Sequence, residues 1–239
     1  MREQKQITII SVILCCVLLI SFIYITNEQQ VMVPVQNQIS VPLLILDAGH
    51  GGEDGGTVAQ DGTPEKHINL NITIQLQQLC ALFGFDTLMT RTEDTDLADA
   101  SLATIRARKM SDIKARLAIL NANPQALYIA IHQNQYGDEN CCGLQVFYSP
   151  NNDVGKLYAQ SIQENTVALQ QKENRRKIKA ATDDIYLLYH AQLPAVLVEC
   201  GFMSNRKELE LLKTPAYGTQ LSLCILGGVI RQCQTERIL

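Results

Sequence analysis

Two periods of hydrophobic and polar positions run through this chain. Continuous apolar runs at Leu43–Asp47 (LLILD), Leu127–Ile131 (LYIAI) and Ala195–Val198 (AVLV) are too short and too unbroken for amphipathic helices, and they predict buried strands. Between them the apolar positions recur at helical spacing. Ile68, Ile72, Leu76, Leu79 and Phe83 mark the buried face of a helix from Glu65 to about Phe83, and Pro64 suits its start. The same reading predicts a strand over Asp86–Thr90 and a helix from about Ser101 to Asn121. Further on it predicts a strand at Leu144–Tyr148 and a helix over Gly155–Gln171. Asn205 and Glu208 form a capping box for the next helix, and Pro215 opens the last one, which ends near Gln232. Strands alternating with helices predict a single layered α/β domain with a mostly parallel sheet over residues 42–239.

The first 41 residues break this rhythm. Ile7–Ile25 is a charge-free run of 19 residues, close to the roughly 20 needed to span a bilayer. Arg2 and Lys5 precede it and Glu28 follows, which sets the N-terminus in the cytoplasm and the rest outside. No small-x-small cleavage signal follows, so residues 1–25 are expected to be a transmembrane signal anchor and residues 26–41 a polar tether.

The ends of the strand runs carry the candidate chemistry. In an open α/β sheet the carboxyl ends of the strands face the crevice where ligands bind. Three such ends deliver His50, His132 and Glu199, and the chain has only four histidines in all. Glu65, in the first turn of its helix, lies on the same stripe as Ile68 and is expected to point toward the sheet. Two imidazoles and a carboxylate with a fourth position open make a catalytic zinc set. Glu199 behind four apolar residues is costly to bury unless something pairs with it. The glycine-rich stretch Gly49–Gly56 follows a strand, but it lacks the G-x-G-x-x-G spacing and carries two acids, which argues against a nucleotide site.

Composition adds three points. The net charge of −4 leaves no footprint for nucleic acid, although Lys172–Lys179 (KENRRKIK) gathers five basic residues. That cluster is a solvated helix end or a contact for an anionic substrate. Six cysteines follow the anchor. No Cys-x-x-Cys pair occurs among them, which argues against a cysteine metal site, and free thiols are expected.

With these residues in view, the chain resembles the zinc-dependent N-acetylmuramoyl-L-alanine amidases, the third amidase family of cell-wall hydrolases. The resemblance runs from about Leu43 to Gln232. It rests on Asp47–Gly52 (DAGHGG), Glu65-Lys66, Thr90-Arg91, Ile131–Asn134 (IHQN) and Val198–Asn205 (VECGFMSN). Ala48, where proline is common, and Gln133, where a small residue is common, depart from the pattern without touching a ligand position. The likeness implies a twisted, mainly parallel sheet of about six strands between helices. It implies His50, Glu65 and His132 as Zn2+ ligands and Glu199 as the catalytic acid/base. The substrate implied is peptidoglycan, cut at the amide between N-acetylmuramic acid and L-alanine.

The single anchor, Ile105–Lys109 (IRARK) and Asn174–Tyr189 resemble the spore-cortex branch, which implies a membrane-anchored domain outside the cytoplasm, facing wall or cortex. Only Gln135–Gly143 separates two strands where some division amidases carry a self-inhibiting helix, too short for one here. Asp47 is a candidate to orient a ligand from behind or, equally, a structural strand end, and Arg176 or Lys179 is a candidate to hold a stem-peptide carboxylate. An accessory protein partner is compatible with this reading. Two alternatives stay open: another zinc wall hydrolase, such as a peptidase or deacetylase, and a non-catalytic wall-binding module.

Overall fold

The structure, a computed structural model, describes residues 42–236. The elements in order are β1 (Leu44–Ala48), α1 (Glu65–Leu82), β2 (Thr87–Met89), α2 (Ile105–Asn121), β3 (Leu127–Asn134) and β4 (Gln145–Tyr148). Then follow α3 (Asp153–Leu169), β5 (Lys179–Ala180), α4 (Tyr186–His190), β6 (Ala195–Phe202), α5 (Arg206–Leu212) and α6 (Pro215–Thr235).

Six strands form one sheet in the order β2-β1-β3-β6-β4-β5. β2, β1, β3 and β6 run parallel, while β4 pairs antiparallel with β6 and β5 runs alongside β4. The mostly parallel α/β domain is therefore present, with its edge reversed. The short Gln135–Gly143 connection between β3 and β4 crosses no helix, and a crossover helix is what a parallel pair requires.

Why the strands read as unbroken apolar runs is now evident. Both faces of the sheet are covered, so alternate side chains enter different cores. Leu44, Leu46, Ile129, Ile131, Val196 and Val198 pack with Ile72, Leu76, Ile162 and Ile225 of α1, α3 and α6. Ile45, Tyr128, Ala130, Ala195 and Leu197 face Leu120 of α2 and Leu188 of α4 on the other side. Removing one of these side chains, as in Leu76→Ala, typically costs about 2–5 kcal/mol.

Helix boundaries follow local chemistry. Thr104, Asn152, Asn205 and Thr214 each cap a helix by accepting a backbone N–H three residues on. The expected capping box is only half formed. Asn205 accepts from the Glu208 N–H at 3.0 Å, but the Glu208 carboxylate turns inward and accepts from Gly143 and Phe202 N–H groups. α2 starts at Ile105 and not near Ser101, because Asp99 holds Ser101 in a turn. β5 and α4 are too short to leave a periodic trace.

Cys80, Cys141, Cys142, Cys200 and Cys224 are free thiols, Cys80, Cys200 and Cys224 buried, and the buried Cys233 Sγ lies 3.4 Å from the Tyr158 hydroxyl. No helix among the described residues is long and apolar enough to cross a membrane, and the anchor and tether expected over residues 1–41 lie outside them.

Candidate active site

β3 and β6 lie side by side in register, with His132 directly opposite Glu199. Side chains alternate along a strand, so both residues project from the face that carries Tyr128, Ala130 and Leu197. β1 adds its carboxyl end beside β3, where the Gly49 N–H donates to the Ile131 carbonyl at 3.1 Å. The next residue, His50, swings over the sheet edge. α1 starts close by and places the buried Glu65 in its first turn.

His50, Glu65 and His132 converge. Each offers a ligand atom, and those atoms all lie within 4.8 Å of one another. His50 Nε2 is 3.4 Å from Glu65 Oε2, and His132 Nδ1 is 3.1 Å from Glu65 Oε1. Among the described residues this is the one group of three or more such side chains so placed. Two imidazole nitrogens and a carboxylate oxygen match the donor set of a catalytic zinc ion with one position left for water or substrate.

The surroundings fit that use. Asp54 Oδ2 accepts from His50 Nδ1 at 2.9 Å, which leaves Nε2 as the free lone pair on the Glu65 side. Asp54 is itself held by Lys109 at 2.7 Å and the Gly56 N–H at 3.2 Å. Glu65 accepts from the backbone N–H groups of Thr57 and Gln133 and from the Asn69 amide. Two glycines make room. A Cβ at Gly49 would sit 2.2 Å from His132 Nε2, and one at Gly56 would meet both the His50 ring and Glu65 Oε2.

Electrostatics point the same way. Burial alone would lower the His50 imidazole, but the Asp54 and Glu65 carboxylates outweigh it and raise its pKa to about 9. Burial would raise Glu65, yet His132 and His50 hold its carboxyl well below the usual range.

Glu199 behaves differently. Its Oε2 is enclosed and has no hydrogen-bond partner among the described residues. Burial pushes its pKa up to about 7, with Glu65 adding to the rise and the two histidines opposing it. A carboxyl that changes protonation near neutrality suits an acid/base role. A cavity of about 230 Å³ opens beside His50 and His132, lined further by Ile185, Tyr186, Leu187 and Leu197.

All four strand-end and helix-end residues singled out in the sequence thus meet at one site. Asp47 touches neither histidine. It accepts from Thr90, Tyr128 and Arg116. Arg176 and Lys179 do not line this cavity. The Arg176 guanidinium lies 4.3 Å from the Phe202 ring centre and donates to the Cys142 carbonyl, while Lys179 is exposed on β5. Asp54 escaped sequence reading, although its spacing of four from His50 in a glycine-rich loop was the available signal.

A family model described as N-acetylmuramoyl-L-alanine amidase matches residues 44–231. The chain belongs to the N-acetylmuramoyl-L-alanine amidase family. It is similar to the germination-specific N-acetylmuramoyl-L-alanine amidase of Bacillus subtilis, at 31% identity over 219 residues and 90% of either chain. It is also similar to the CwlD amidase of Clostridioides difficile, solved in complex with the GerS lipoprotein. That likeness has 35% identity and a TM-score of 0.78, over 81% of this chain and 99% of that one. The AmiC2 amidase of Nostoc punctiforme, at 24% identity and a TM-score of 0.67 over 81% of this chain and 97% of that one, shares the fold. The chain is accordingly an enzyme of this family, hydrolysing the N-acetylmuramoyl–L-alanine amide of peptidoglycan.

Proposed function

We propose that this amidase acts on the spore cortex, with a zinc ion held by His50, Glu65 and His132 and with Glu199 moving the protons. The observation that carries the reading is the convergence of three zinc-type donors beside a carboxylate with one enclosed oxygen that has no partner among the described residues. The germination-specific relative, matched over 90% of its length, supports the cortex as the setting. When bound, zinc polarises the scissile carbonyl and lowers the pKa of a water toward about 7.

The residues of the chain do the rest. Glu65 and the two histidines would hold the ion at the carboxyl ends of β1 and β3. Glu199 Oε2 accepts the proton of the attacking water and then passes it to the L-alanine nitrogen as the C–N bond breaks. Asp54 keeps His50 in the tautomer that leaves Nε2 free.

Product analysis on purified cortex tests the reaction and its setting. Expected products are muramic acid with a free lactyl carboxyl and new L-alanine amino termini, in equal amounts. New amino groups on the sugars, or amino termini deeper in the stem peptide, would mean a deacetylase or a peptidase. The relative solved in complex with a lipoprotein extends the proposal to a protein partner. Full activity of the purified chain alone would remove that extension.

The membrane anchor belongs to the same proposal, supported by the 19-residue apolar run at Ile7–Ile25. The protein is expected in the membrane fraction with residue 1 or 2 at its N-terminus, and a mature form starting near residue 28 would contradict this.

A further inference from the structure

His50 is the one residue other than glycine with a positive φ among the described residues, at 61°. Gly51 and Gly52 follow it with φ of 139° and 52°, so the left-handed run begins on a residue that carries a Cβ. That conformation is uphill for histidine and persists only where neighbours fix it. The ring is held at Nδ1 by Asp54. The peptide that follows it is held at both ends: the Gly51 N–H donates to the Asp54 carbonyl at 2.9 Å, and the His50 carbonyl accepts from Arg116.

Arg116 lies on α2, is 3% exposed, and uses all five of its N–H groups. Nε donates to Asp112 Oδ2 at 2.8 Å, and Nη1 donates to Asp47 Oδ1 and to the Ala48 carbonyl. Nη2 donates to the His50 carbonyl at 2.9 Å and to Asp112 Oδ1 at 3.3 Å. Asp47 is locked in turn by Thr90 and Tyr128, so the guanidinium has no freedom to turn. Arg91 completes the arrangement, donating to the Ala48 and Gly49 carbonyls. Three successive carbonyls, at 48, 49 and 50, are thereby held by buried arginines.

A buried ion pair is weak evidence of a gain in stability over an apolar pair. Here the fork geometry does something an apolar pair cannot, because it ties a strand-end carbonyl to a helix. We infer that Arg116 is a positioning residue: by gripping the His50 carbonyl it keeps the left-handed turn that aims the His50 imidazole at Glu65 for metal binding. Without the grip the 50–51 peptide is tied only through the Gly51 N–H to Asp54, and the ring loses its fixed aim while β1 stays paired. This rests on the proposal that His50 is a metal ligand.

Arg116→Lys keeps the charge opposite Asp47 but cannot also span to the His50 carbonyl. It should fold and bind zinc about 10–100-fold more weakly, the usual size of effect for a residue that orients a ligand. In metal-free protein the His50 Cα and carbonyl carbon shifts should leave their left-handed values. Asp112→Ala, which loosens Arg116 without removing it, should weaken zinc in the same direction by less, and it answers the question if the lysine variant does not fold. Leu120→Ala, a core truncation on the same helix, is the control for general loosening and should keep zinc affinity near wild type.

Unchanged affinity in Arg116→Lys or Asp112→Ala, unchanged His50 shifts, or an equal loss in Leu120→Ala would each overturn the inference. His50→Ala keeps the two claims apart. Wild-type zinc affinity there would overturn the ligand reading, and the carbon shifts would then judge the Arg116 grip by themselves.

Discussion

Glu199→Gln should fold, keep its zinc and lose at least about 100-fold in turnover. Glutamine preserves the size of the side chain and a carbonyl oxygen but cannot take a proton from water. The loss corresponds to ~3 kcal/mol of barrier or more. The reason lies in how Glu199 is placed. It stands opposite His132 on the neighbouring strand, with one oxygen enclosed and free of partners. Glu65, by contrast, has both oxygens engaged and faces both imidazoles. One carboxylate is built to be held and the other to change protonation. Zinc content and kcat measured on the same preparation decide the matter. Near-normal turnover removes Glu199 from the reaction, and loss of metal with it makes Glu199 a ligand.

His132→Ala should lose stoichiometric zinc, and with it all measurable hydrolysis. A three-ligand site reduced to two has little hold on the ion, and the vacated space above Gly49 leaves Glu65 facing one imidazole fewer. The fold should survive, because His132 sits at the rim of the sheet and its ring belongs to neither core. Metal analysis after desalting, beside circular dichroism, checks both halves. A variant that retains one zinc per chain would strike His132 from the ligand set.

Much of this was legible in the sequence because sheet topology is regular. A strand buried on both faces is an unbroken apolar run, and its carboxyl end opens on the crevice. That rule pointed to His132 and Glu199 on their strands and brought His50, two residues past β1, to the same end, while helical periodicity oriented Glu65. The mostly parallel sheet was legible, but the reversed direction of β4 was not, because four residues read the same either way. The short α4, whose residues line the cavity beside the histidines, has too few turns to show a period.

The supporting contacts were illegible for a different reason. Arg116 and His50 are 66 residues apart, and Tyr128 and Asp47 are 81 apart. Pairs so distant leave no local spacing to read. Asp47 illustrates the limit well. The sequence left it either as a residue that orients a ligand or as a structural strand end, and the structure shows it holding Arg116, which in turn donates to the His50 carbonyl.

The account stands most directly on where the metal sits. Anomalous scattering at the zinc edge, from crystals of the protein loaded with one equivalent of zinc, should give a single peak among His50, Glu65 and His132. That peak should lie about 2.0–2.2 Å from one atom of each, with the Glu199 carboxylate outside bonding distance. A peak elsewhere on the domain, or one bonded to Glu199 in place of Glu65, would contradict it.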